Sequence, residues 1–217
     1  MKYCNSIIAG LALVLTLAGA PVQAQLGALR LKGLTTSDEV TEQQTQIMKD
    51  YSAAGALLAK AMGLTIEALG SKAEADKFRA EAKDLTGEAC ENKKGCEQVH
   101  TVLSSGAKQV DELIAKADKL SEEQKAKVKE SLVPFGGGLA IDAGLVAFSV
   151  ETAKRAQDAV KSNPLAATKY GPAVYVAMIL PGEVKTTGQV LNNYSKLAKK
   201  NGIEVPDNVT KALTGPQ

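Results

Sequence analysis

Between positions 47 and 69 the apolar side chains fall on a single stripe. Ile47, Tyr51, Ala54, Leu58, Ala61 and Thr65 recur at alternating spacings of four and three, and Met48, Met62 and Leu69 widen the band. A helix with 3.6 residues per turn gathers such positions on one side, whereas a strand would scatter them over both faces. Thr36 followed by Glu39 has the form of a helix-opening capping box, and Gly70 supplies a stop. The reading is one amphipathic helix over 36–69, about 50 Å long at 1.5 Å per residue. A stripe of that length needs other elements laid against it over its whole extent.

The rest of the chain supplies them. Ser71 with Glu74 repeats the capping signature, and Ala75, Phe78, Ala82, Leu85 and Ala89 carry a three-four pattern up to Cys90. Val99, Val102, Gly106, Val110, Leu113, Ala117 and Leu120 mark a third helix that starts near Cys96. Ser121 and Gln124 open a charged fourth helix, which Pro134 and the run Gly136, Gly137, Gly138 are expected to interrupt. A more apolar helix is then expected over 139–161, stopped by Asn163 and Pro164. Pro172 and Pro181 bracket a short apolar piece whose length suits a strand or a buried helix; no other segment could pair with it as a sheet, so it reads as helix. Val184, Thr187, Leu191, Tyr194 and Ala198 define the last long helix, with Lys199 and Lys200 at its negative dipole end and Gly202 just beyond. About five amphipathic helices on short connections, with no sheet, predict an all-α elongated antiparallel bundle over 37–202 and a tail over 203–217.

What precedes the bundle reads as a secretory leader. Lys2 provides a positive start, residues 7–18 are apolar and uncharged, and Val22 and Ala24 are the small side chains a signal peptidase requires. Cleavage after Ala24 leaves a lead-in over 25–36 and a mature chain of about 193 residues. The run is shorter than the roughly 20 apolar residues that span a bilayer, which argues against a retained anchor. Cys4 precedes the apolar run, so it is not a lipoprotein cysteine. The expectation is a periplasmic or secreted protein. Its 26 basic and 24 acidic residues leave no bulk charge for nucleic acid, and the absence of tryptophan leaves few stacking platforms.

Two helices carry small residues spaced by four: Gly55, Ala59 and Gly63 in the first, and Gly136, Ala140 and Gly144 in the fourth. Glycine inside a helix costs roughly 0.5–1 kcal/mol relative to alanine, and such a row opens a groove for a close backbone. The expectation is that the first and fourth helices cross at these rows.

Chemistry-bearing residues are few. Cys90 and Cys96 flank a tight connector, and an oxidising compartment favours a disulfide between them. His100, one turn after Cys96, would complete a three-ligand metal set, but no fourth ligand is evident and oxidation removes the thiolates; no metal and no cofactor is expected. His100 is the chain's one histidine, and no serine or aspartate stands in a nucleophile motif near it. The triple glycine lacks the preceding strand and following Lys-Ser or Lys-Thr of a phosphate loop. Residues 132–150 contain one charge, Asp142, in nineteen positions. A helix buried on most sides of a bundle and a segment that inserts into a bilayer share that composition. Asp142 reads as an exposed edge residue aligned with Ser149, since an unpaired buried carboxylate is costly; its other roles are pairing with a lysine or contacting a ligand or partner. The functional expectation is a non-enzymatic bundle binding a protein partner or an apolar small molecule. The alternatives are a membrane-active protein inserting 132–150, and an enzyme whose site assembles only in space.

Overall fold

The computed structural model describes residues 37–162 and 167–215. Six helices account for nearly all of them: α1 (Ser37–Leu69), α2 (Lys72–Ala82), α3 (Lys93–Lys116), α4 (Glu122–Ser162), α5 (Ala167–Lys200) and α6 (Asp207–Thr214). No strand occurs among the described residues, so the chain is all-α. The leader, the cleavage site and the Thr36–Glu39 box lie outside the described residues.

Local chemistry sets the boundaries. At α2 both arms of the capping box form: Glu74 N donates to Ser71 Oγ at 3.2 Å, and Ser71 N donates to Glu74 Oε2 at 2.8 Å. Before α4, Gln124 N donates to Ser121 Oγ and Ser121 N to Gln124 Oε1 in the same way. Asn92 caps α3 by accepting from Gly95 N. At the end of α5, Gly202 takes φ +73°, where its missing Cβ removes the steric penalty, and Ile203 N reaches back to the Ala198 carbonyl.

Several elements depart from the sequence reading. α2 ends at Ala82, and the pattern beyond it belongs to a turn that buries Leu85 and Cys90. Pro134 and the glycines do not interrupt α4, and Pro172 and Pro181 do not divide α5; each is one helix of 41 and 34 residues. A proline within a helix costs about 3 kcal/mol. Leu132, Phe135 and Leu139 straddle Pro134 and are buried, and each such side chain contributes about 1.5–3 kcal/mol. Burial therefore wins over local propensity. The expected tail also joins the fold: in α6, Val209 is buried against Gly136, and Asn208 Nδ2 donates to the Val133 carbonyl at 2.9 Å.

Contacts between helices give their directions. α1 and α4 run antiparallel, since Thr152 bonds Gln43 near one end while Lys127 pairs with Glu67 and Gln124 bonds the Ala68 carbonyl near the other. α3 and α5 run parallel. His100 meets Glu183, Asp111 meets Asn193 and Asp118 meets Lys200, at sequence separations of 83, 82 and 82. Successive helices from α1 to α5 thus alternate in direction, the antiparallel arrangement the short connections suggest. Its core runs through Leu58, Met62, Ile66, Leu103, Leu132, Phe135 and Leu191, all essentially fully buried.

The two small-residue rows do not meet. A Cβ on Gly55 would overlap Val99 of α3, and one on Gly63 would touch Phe78 and Arg79 of α2. Ala59 is buried on that same row. In α4, Gly136 faces α6, Ala140 is half-buried and Gly144 is exposed. The close α1–α4 approach is instead at Gly138, whose Cβ would lie 2.6 Å from Leu58 Cγ and 3.0 Å from the Ala54 carbonyl oxygen. The α1 face that meets α4 carries Ala54 and Leu58; the Gly55 row is turned about 100° from it, onto α2 and α3.

Candidate functional site

Tyr51, His100, Glu183 and Asp142, from four different helices, meet electrostatically within the core. Tyr51 of α1 is fully buried and donates from Oη to Glu183 Oε2 of α5 at 2.9 Å. His100 of α3 places Nδ1 3.1 Å from the same oxygen. The Glu183 side chain is only 3% exposed, and its second oxygen, Oε1, is buried with no hydrogen-bond partner. Asp142 of α4 is 0% exposed, and neither of its carboxylate oxygens has a partner.

Asp142 therefore does not stand at an exposed edge, and no lysine neutralises it. Ser149, seven residues on, is buried as well. The alignment of the two was legible, but its direction was not. Both lie on the inner face with Leu145, while between residues 132 and 150 the exposed positions of α4 include Val133, Gly144 and Val150 and no charge.

Electrostatics couples these groups. Burial first, and then the charge of Glu183, pushes the Asp142 carboxyl well above the usual carboxylate range. Burial and the same Glu183 charge raise the Tyr51 phenol. For His100 the hydrogen bond to Glu183 raises the imidazole pKa against an opposing effect of burial. Glu183 thus holds His100 toward its charged form and Asp142 toward its neutral form.

His100 and Glu183 line a pocket of about 380 Å³ between α3 and α5, together with Leu103, Ser104, Ile179 and Thr186. The ring is one-third exposed, and Nε2 has no hydrogen-bond partner among the described residues. Ser104 Oγ lies 3.5 Å from Nδ1, the nitrogen that already meets Glu183. A serine nucleophile needs the imidazole nitrogen opposite the one the carboxylate holds. This serine is on the wrong side of the ring, so Glu183 orients His100 without the pair activating Ser104.

Cys90 and Cys96 form the expected disulfide, which ties the turn after α2 to the first turn of α3. Cys90 N donates to Ser52 Oγ, anchoring the turn on α1, and a Cβ on Gly95 would overlap the Ala89 carbonyl oxygen. His100 points to α5 and away from any role with these sulfurs. Tyr51 and Glu183 were not singled out from sequence as site residues. The available signal was a carboxylate on the inner stripe of α5, where Val176, Leu180, Glu183, Thr187, Leu191 and Tyr194 are all buried.

The site defines a helical bundle with a buried carboxylate–histidine pair opening onto a pocket between two parallel helices. No family model matches the chain, and no curated protein or solved structure matches it. Its function is accordingly argued from the site.

Proposed function

We propose that this chain is a non-enzymatic binding protein, exported after cleavage near Ala24, that holds a small ligand in the α3–α5 pocket. The observation that carries the reading is Glu183: a carboxylate almost wholly withdrawn from water, fixed through one oxygen by Tyr51 and His100, its other oxygen buried without a partner, on a residue that lines the pocket. Leaving such an atom unsatisfied costs about 1–3 kcal/mol, which a ligand donor would offset. The apolar wall of Leu103, Ala107 and Ile179 suits the non-polar part of a small molecule. The leader pattern and the disulfide support an oxidising compartment.

Because His100 is the only histidine, its Cε1 proton is a unique reporter in the NMR spectrum. A fragment mixture covering ammonium, alcohol, amide and carboxylate compounds should shift that resonance saturably in the mature protein. Thr186→Trp, which fills the pocket mouth, should abolish the response. A resonance that no fragment moves would remove the pocket as the site of function.

A second reading, insertion of the 132–150 region into a bilayer, is favoured by the outward face of α4. Both α1 and α4 are long and apolar enough to cross a membrane, but the apolar window of α1 is 61% buried and that of α4 only 39%. Val150 and the 76%-exposed Met178 are exposed apolar side chains, and Val160, Tyr170, Gly171 and Val174, with Gln157 and Lys161, line a groove of about 400 Å³. Flotation with liposomes that survives high salt and alkaline washing would support insertion; protein left at the bottom with neutral and anionic lipid alike would end it.

A further inference from the structure

Resting on the pocket reading, we infer that the ligand is a small organic ammonium ion, with Glu183 as its anchor and the α3–α5 wall holding its alkyl portion. The lining is chemically one-sided. It contains one carboxylate and one histidine, with neither lysine nor arginine among its residues. When His100 is neutral, Glu183 leaves a net negative charge in a place that water hardly reaches. With His100 neutral, an anion entering this field would meet repulsion, whereas a cation supplies what Glu183 lacks.

The fit extends to hydrogen bonding. A primary ammonium carries three donors and no acceptor. The Glu183 carboxylate can accept one, and the hydroxyls of Ser104, Thr186 and Thr187 around the same pocket can accept the others. Tyr51 and His100 both hold Oε2, so the carboxylate is oriented before a ligand arrives. Leu103, Ala107 and Ile179 offer a short apolar ledge to a chain of a few methylenes. At about 380 Å³ the space is at the small end of ligand pockets, which limits the alkyl part.

The test compares shape-matched probes on the mature wild-type protein, reading the His100 Cε1 proton and calorimetric heat: n-butylammonium and 1,4-diaminobutane against 1-butanol and butyrate. The expected result is saturable ammonium binding at least tenfold tighter than the alcohol, with no binding of butyrate. Glu183→Gln should weaken ammonium binding about tenfold or more while leaving the weak alcohol affinity unchanged. If that variant does not fold, the wild-type probe series decides alone. Equal affinity for alcohol and ammonium, or a preference for butyrate, would overturn the ammonium assignment and leave the pocket reading standing. Failure of these probes while other fragments shift His100 would do the same; a resonance that no fragment moves would bring down both.

Discussion

Replacing Asp142 with leucine tests the electrostatic account of the core. The two side chains branch alike at Cγ, so Leu fills nearly the same space while removing a carboxyl that is 0% exposed and unpartnered at both oxygens. Two costs disappear with it. A buried polar group left without hydrogen bonds costs about 1–3 kcal/mol. The other is linked to pH. Burial and Glu183 raise the folded carboxyl above its unfolded value, so the folded chain holds a proton that the unfolded chain releases. The stability this group contributes is then fully present below the unfolded pKa of about 3.9. It is lost at about 1.4 kcal/mol per pH unit as pH rises toward the folded pKa. Asp142→Leu should therefore stabilise the bundle by on the order of 2–4 kcal/mol at neutral pH, a Tm rise of roughly 5–10 °C for a domain of this size. Urea denaturation followed by far-ultraviolet circular dichroism at acidic, neutral and mildly alkaline pH gives the measurement. The gap between variant and wild type should widen as pH increases. A leucine variant less stable than wild type at every pH, or a gap that does not move with pH, would refute the reasoning and mean that Asp142 has a compensating partner in solution.

Other perturbations probe the staple, the ion pairs and the close packing. Reducing the Cys90–Cys96 bridge, or replacing both cysteines with serine, should cost about 2 kcal/mol in urea denaturation, because so short a loop releases little chain entropy. Glu67 joins three helices through Arg79 of α2 and Lys127 of α4, and those bonds lower its pKa to about 2. The stability it contributes should be present above about pH 4.5 and fade as pH falls toward 2, a decline that Glu67→Gln flattens in acid titrations. Gly138→Ala should destabilise by about 1–3 kcal/mol, because its Cβ would press on Leu58 and the Ala54 backbone. Gly188→Ala, whose Cβ would meet only Leu139 Cδ2 at 3.9 Å, should gain roughly 0.5–1 kcal/mol; thermal melts of the pair separate clash from propensity.

Helix identity and most helix starts were legible because they depend on neighbours in sequence. The boxes at Ser71–Glu74 and Ser121–Gln124 form, and Gly202 turns the chain out of α5. The misreadings cluster where a local rule met a long packed helix. Proline and glycine weigh against helix by a few kcal/mol within a turn or two, but α4 and α5 are held along their whole length by neighbours. Pro134, Pro172 and Pro181 are consequently accommodated inside them. The small-residue rows failed differently: spacing by four fixes that Gly55, Ala59 and Gly63 share a face, but not which neighbour that face meets.

The site lay further from view, for a reason its distances make plain. Tyr51 and Glu183 are separated by 132 positions and His100 and Glu183 by 83, so no local motif spans them. What brings them together is register: α3 and α5 run parallel at a nearly constant offset, while α4 returns antiparallel along α1. The trace each residue leaves in sequence is a polar exception on an apolar stripe. Such exceptions read as exposed by default, since burying a lone carboxylate is costly. Two carboxyls that enter the core from different helices lower that cost for neither; the charge of Glu183 raises it for Asp142. A bundle with a core of leucine and alanine does not need either group to fold. Their joint presence is therefore the part of this molecule least explained by stability.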